Sequence, residues 1–218
     1  MTRPLLTRAA LLYLAARLVS GLLIWHASTG QVAYPAWTGP NPGYLDMTVL
    51  WDGSWYRQIA QVGYPSTLPI GGDGLVAQNA WAFFPVYPMI CRVVMRATGL
   101  SFPIVGSTVS LILGLAAALV IVALLVRRMS PAVALGAMLV WATFASSPAL
   151  QIGYTESLAC LLVAGWLWLV VGRHWISAGL LAVVIGLSRP VAAPLCIVLA
   201  VAFVVRWRRR RDDPLTSG

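Results

Sequence analysis

Asp52 stands in "WDGSWYRQIAQVGYP", residues 51–65, in a chain of 218 residues that holds only six acidic groups. A lone carboxylate in a polar-aromatic stretch can act as a general base, taking a proton from a hydroxyl as it attacks. Arg57 follows five residues later, with Trp51, Trp55, Tyr56 and Tyr64 around it. A helix beginning near Gly53 would put Asp52 at its N-cap, accepting backbone N–H bonds worth about 0.5–2 kcal/mol. Trp51, Trp55, Ile59 and Val62 then fall on one face. That face belongs in the headgroup region, so the stretch reads as a helix lying on a membrane. Presenting a carboxylate to a lipid-borne substrate is compatible with that reading.

Arg189 interrupts the apolar run "AGLLAVVIGLSRP". An arginine within a span costs about 2.5–3.5 kcal/mol on insertion scales unless it is paired or hydrated. It either snorkels to headgroups or binds a phosphate through charge-assisted hydrogen bonds. Glu156, in "GYTES", sits where a carboxylate meets the positive end of a helix dipole. Arg17, midway along the first apolar run, reads as one half of a structural ion pair. "FFPVYP", with two prolines between aromatics, reads as a rigid lip. His26 and His174 fall on opposite sides of the membrane in the topology below. No DxD, HExxH, P-loop or dinucleotide fingerprint is present. Asp46 and Asp52 could hold a divalent ion, but their spacing does not indicate one, and no cofactor is expected. Cys91, Cys160 and Cys196 form no CxxC or Cys/His cluster and read as small hydrophobes.

These residues must be positioned by membrane elements. The chain is 60% hydrophobic and 10% charged, against about a quarter charged in a globular domain. Repeated long apolar runs point to a helical bundle, not a barrel. The net charge of +9 comes from arginine without lysine, in clusters between apolar runs. That is the positive-inside pattern and argues against nucleic acid as a partner. Arg17 interrupts the first run and no cleavage site follows, so it reads as a retained span. The expected fold is an all-α polytopic membrane protein of about six transmembrane helices. Residues 1–218 form a single membrane domain: 1–25 the first span, 26–103 an extracytoplasmic loop with interfacial helices, 104–205 the remaining spans, and 206–218 a cytoplasmic basic tail. Spans are expected at 9–25, 104–126, 132–145 and 158–171. Two short helices then meet at Ser188-Arg189-Pro190. Both termini are placed in the cytoplasm of a multi-pass cell-membrane protein. Asp46, Asp52, Asp73, Glu156 and Arg189 share the outer face.

In order, "WDGSWYRQIAQVGYP", "AFFPVYP", "GYTESL" and "AGLLAVVIGLSRP" resemble the PIG-V family of mannosyltransferases, as does "ARLV" at Arg17. The resemblance spans roughly residues 17 to 190. It implies a GT-C-like glycosyltransferase that takes mannose from a polyprenyl-phosphate donor, within membrane lipid, and passes it to an extracytoplasmic acceptor with inversion. It implies Asp52 as the base, with Arg189 and, more weakly, Arg57 on the donor phosphate. Trp51, Trp55, Tyr56, Tyr64, Phe84, Pro85, Tyr154 and Glu156 would line the cavity. Many relatives carry His where this chain has Ser54 or Trp55. Family members continue with more spans, so the chain corresponds to an N-terminal half. That implies a possible C-terminal partner chain, and an alternative role as a non-catalytic, lipid-binding half of a split enzyme.

Overall fold

The structure is a computed structural model that describes residues 2–33 and 38–208. The basic tail expected over 206–218 lies outside the described residues beyond Arg208. Nine α-helices are seen among the described residues: α1 Arg3–Gly30, α2 Tyr44–Met47, α3 Asp52–Gln61, α4 Val86–Thr98, α5 Phe102–Leu125, α6 Pro131–Thr143, α7 Glu156–Val171, α8 Trp175–Gly186 and α9 Ala192–Arg208. Short 3-10 turns lie at Ala80–Ala82 and Ser147–Gln151.

Sequence chemistry sets most of these boundaries. Proline occupies the first turn of α1, α5 and α6, where its missing N–H is not needed. Ser130 accepts from Val133 N to start α6. Gly99, in the left-handed conformation at φ 72°, ends α4, as glycine commonly does. The expected break at Ser188-Arg189-Pro190 is present: α8 ends at Gly186 and α9 begins at Ala192.

Among the described residues, α1 and α5 are the helices long and apolar enough by themselves to cross a membrane. α1 outlasts the expected first span, running five residues beyond Trp25 to Gly30. It buries one stripe, Leu5, Ala9, Tyr13, Ala16, Arg17 and Ser20. Its other side leaves Leu11, Leu14, Leu18 and Leu22 exposed. This outer face of the helix is apolar as well.

α1, α5 and α7 meet where α5 is smallest. A Cβ at Gly114 would lie 1.9 Å from Tyr13 Oη and 2.8 Å from Ser157 Oγ. Tyr13 is fully buried, so its ring has nowhere to go. Small residues at such points let helices in lipid approach closely. Gly114→Ala is expected to destabilise the fold by about 1–3 kcal/mol or more through overpacking. Thermal unfolding in detergent measures it. Adding Tyr13→Leu, which removes the ring, should restore part of the loss.

The ion pair expected of Arg17 is not formed. Its guanidinium instead donates to the carbonyls of Ala142 and Ser147 and to Ser147 Oγ, and lies over the Tyr13 ring. The reason is local: α6 ends at Thr143, and its last carbonyls have no helical partner. Arg17 therefore fastens the α6–α7 connection to α1.

Candidate functional site

The site is assembled around the turn before α3. Trp51 adopts φ 46°, ψ −117°, a region disfavoured for any residue with a Cβ. Gly53 N donates to Leu50 O at 2.9 Å across it, and Ser54 N and Oγ both reach Trp51 O. α3 begins at Asp52, so Asp52 is the first helical residue and Trp51 the N-cap. The expected cap bond is absent: no side chain caps this helix. The Asp52 carboxylate is exposed and not spent on backbone donors.

Such strain typically stores about 1–3 kcal/mol. Trp51→Gly relieves it, less about 0.5–1 kcal/mol for glycine's chain entropy. Trp51→Gly is therefore expected to raise stability by about 1 kcal/mol, read as a higher thermal midpoint. Trp51→Ala keeps the Cβ and should gain nothing, which isolates the backbone effect.

The single aromatic face expected of α3 is divided. Gly53, Tyr56, Ile59 and Ala60 are buried, while Trp51 and Val62 are exposed. The cause is α4, whose Arg92 donates from Nε to Ala60 O and from Nη2 to Ile59 O, each at 2.8 Å. These bonds satisfy carbonyls at the end of α3 and pull its inner face onto protein.

α3 then docks on "GYTES". Gly153 N donates to Thr48 O at 2.9 Å, and Tyr154 Oη to Leu50 O at 3.0 Å. Tyr56 Oη lies 3.4 Å from Thr155 Oγ1. Glycine makes the approach geometrically feasible. A Cβ at Gly153 would meet Phe102 at 3.0 Å and Thr48 O at 3.1 Å, and one at Gly53 would meet Tyr154 at 3.2 Å. Glu156 opens α7 and reaches across to the α8–α9 turn, where Arg189 Nη1 donates to its Oε1 at 3.1 Å. The Glu156 Oε2 atom is buried and has no hydrogen-bond partner.

The aromatic lip completes the ring of segments. Trp55 stacks on Phe83 at 5.7 Å, and Tyr56 meets Phe83 and Tyr87 edge-on. Val86 N donates to Leu187 O at 3.4 Å, tying the lip to the Arg189 turn. Tyr64 donates to Phe83 O at 2.8 Å and stacks on Trp81 at 4.6 Å. With Phe84 and Pro85 it walls a side cavity of about 220 Å³.

Asp52, Tyr56, Tyr154, Glu156 and Arg189 thus form one electrostatic group. Burial first, then the Asp52 and Glu156 charges, push the Tyr154 hydroxyl above the ordinary tyrosine range. Tyr56 is raised by burial, with smaller contributions from Asp52 and Glu156, and is eased down by Thr155 and Arg189. Both phenols stay protonated and can donate. Arg57 does not join them: it is exposed, and five residues put it about 140° around the helix from Asp52. Asp46 is occupied elsewhere, accepting from Gly43 N at 2.9 Å. No cluster of three metal-ligating side chains is found among the described residues.

One supporting residue escaped the sequence reading. The Gln151 amide, oriented so that donors meet acceptors, donates to Arg17 O at 2.8 Å and accepts from Gly21 N and Tyr44 Oη. It ties α1, α2 and the turn before "GYTES" together. Its one signal in sequence is a lone amide in an apolar connection.

The chain matches no model of a known protein family, no curated protein and no solved structure.

Proposed function

We propose that the chain is an integral-membrane, GT-C-like glycosyltransferase that moves mannose from a polyprenyl-phosphate donor to an extracytoplasmic acceptor. The observation that carries this reading is convergence. Stretches around residues 52, 86, 156 and 189 meet through side-chain and backbone bonds between segments far apart in sequence. In this reading Asp52, Glu156 and the Glu156-paired Arg189 are gathered at one end of the bundle because they share a task.

In this reading the acceptor oxygen attacks the anomeric carbon, and Asp52 takes its proton. The bond from that carbon to the phosphate oxygen breaks, and the lipid phosphate leaves with its electrons. A phosphate departs without protonation, so one carboxylate serves, where glycoside hydrolysis needs two. Arg189 balances the charge gathering on the leaving phosphate. Tyr56, held protonated, donates to a sugar or phosphate oxygen, while the Tyr154 proton stays on Leu50 O.

The topology follows from charge. Arg127, just after α5, lies over Trp168 near the end of α7, and Arg206 near the end of α9 lies over Trp175 at the start of α8, so these two arginines share the bundle end away from Glu156, while Arg57 and Arg92 stay with α3. The positive-inside rule puts that end in the cytoplasm. Six crossings ask short helices such as α6 and α8, about 20 Å or less at 1.5 Å per residue, to sit in a locally thinned bilayer.

The test supplies radiolabelled polyprenyl-phosphate mannose to membranes with and without the chain. Label should enter an extracytoplasmic product only where the chain is present. Equal labelling of both membranes, or labelling from a nucleotide sugar alone, sinks the reading.

A further inference from the structure

The end of the bundle away from Glu156 is a basic cluster built on tryptophan. Arg127 holds its guanidinium 3.7 Å from the centre of the Trp168 ring. Arg206 lies 5.5 Å over the Trp175 ring. The α7–α8 turn runs between these rings, with Arg173 in the left-handed region at φ 64°. Gly172 lets that turn close, since a Cβ there would meet the His174 ring at 2.9 Å. Arg127, Arg128, Arg173 and Arg208 are all exposed. The acids among the described residues are placed elsewhere. Asp46 and Asp73 accept from the backbone of Gly43 and Leu75, and Asp52 and Glu156 belong to the opposite end.

We propose that this cluster binds an anionic phospholipid, with its phosphate on Arg127 and the exposed guanidinium groups around it. The site requires that the bundle sit in a membrane and is separate from the sugar chemistry at the other end. Stacking on Trp168 occupies one face of the Arg127 guanidinium and leaves its N–H edge, the part that grips phosphate oxygens in pairs. Neither Arg127 nor Arg128 spends that edge on a hydrogen bond among the described residues. The surroundings choose a lipid over a soluble anion. Leu167 and Val171 of α7, Ile176 of α8, and Val204 and Val205 of α9 stand exposed beside the cluster. Arginine and tryptophan at the edge of such a band mark where headgroups meet hydrocarbon, and the acyl chains continue along it. The cations choose net charge. A zwitterionic headgroup carries its own ammonium into the cluster and is repelled, whereas a headgroup with phosphate charge alone is not. The positive-inside rule puts this lipid in the cytoplasmic leaflet, where anionic lipids attract basic residues.

The test gives the purified chain, in neutral detergent, equal amounts of phosphatidylglycerol and phosphatidylcholine with the same acyl chains. Native mass spectrometry counts the lipid retained. Phosphatidylglycerol should be retained in about five-fold excess, the effect of one basic residue at an anionic surface. Arg127→Gln with Arg128→Gln should bring the ratio near one. Trp168→Leu keeps both charges, removes the platform and should lower the ratio about two-fold, the low end for an exposed cation–π contact. Arg96→Gln removes an exposed charge on α4 and should leave the ratio unchanged. An excess of inorganic phosphate, which has no tail, should not displace the lipid.

Equal retention of the two lipids by the wild-type chain overturns the proposal. So does a preference that survives Arg127→Gln with Arg128→Gln, one lost equally to Arg96→Gln, or displacement by inorganic phosphate. A preference that emerges only after Asp212→Asn with Asp213→Asn would assign the cluster to the chain's own acids and overturn it too. Should the double arginine variant fail to fold, Trp168→Leu decides, and an unmoved ratio there counts against the site. No sugar enters the measurement, so its failure leaves the transferase reading standing, and failure of that reading leaves the lipid site.

Discussion

Asp52→Asn is expected to cut transfer from polyprenyl-phosphate mannose by about 10²–10⁴-fold, the usual contribution of a positioned base. The substitution preserves shape and removes only the negative charge and the proton-accepting capacity. Asp52 makes no cap bond, so the fold has little to lose. An acid in the first turn of a helix contributes about 0.3–1 kcal/mol through the dipole. Folded protein should therefore persist, and the loss should appear in kcat. Asp46→Asn is the matched control. Asp46 holds the Gly43 N–H and is not in the Tyr56–Tyr154 group, so its substitution should leave transfer nearly intact. Equal transfer by wild type and Asp52→Asn removes the base assignment.

What the sequence disclosed follows a physical division. Helices α5 to α9 were readable because an apolar run is a local property, and their observed ends lie within a few residues of the expected ones. The break at Arg189 was readable because proline disfavours helical continuation. Asp52 was expected at the N-cap and stands one residue further in, as the first residue of α3. A positive φ at Trp51 has no signature in a residue with a Cβ, so a cap was expected where the helix starts. Ile59 was assigned to the membrane face because α4's grip on its carbonyl comes from Arg92, thirty-three residues away. Arg17 and Gln151 were misjudged or missed for the same reason: their partners lie across the bundle. Periodicity reports which face is apolar, not which neighbour covers it.

Arg189→Ala is expected to lower transfer by about 10²–10³-fold, the loss typical of one preorganised donor at a developing charge. A purely structural ion pair would behave differently, and the magnitudes separate the two cases. The side chains of Arg189 and Glu156 are 38% and 30% exposed. Pairs this open to solvent stabilise a fold by about 0–1 kcal/mol. If holding Glu156 were Arg189's whole task, Arg189→Ala and Glu156→Ala would both lower the thermal midpoint slightly, and activity per folded molecule would not move. If Arg189 meets phosphate, the two substitutions part company. Glu156→Gln keeps an oxygen for Arg189 Nη1 and removes a negative charge beside the incoming phosphate. The donor KM should then fall several-fold, with kcat reduced less than ten-fold. Arg189→Lys keeps the charge but loses the planar fork and should recover only part of the activity. An Arg189→Ala protein that folds, and transfers mannose at the wild-type rate per molecule, would take the phosphate off Arg189.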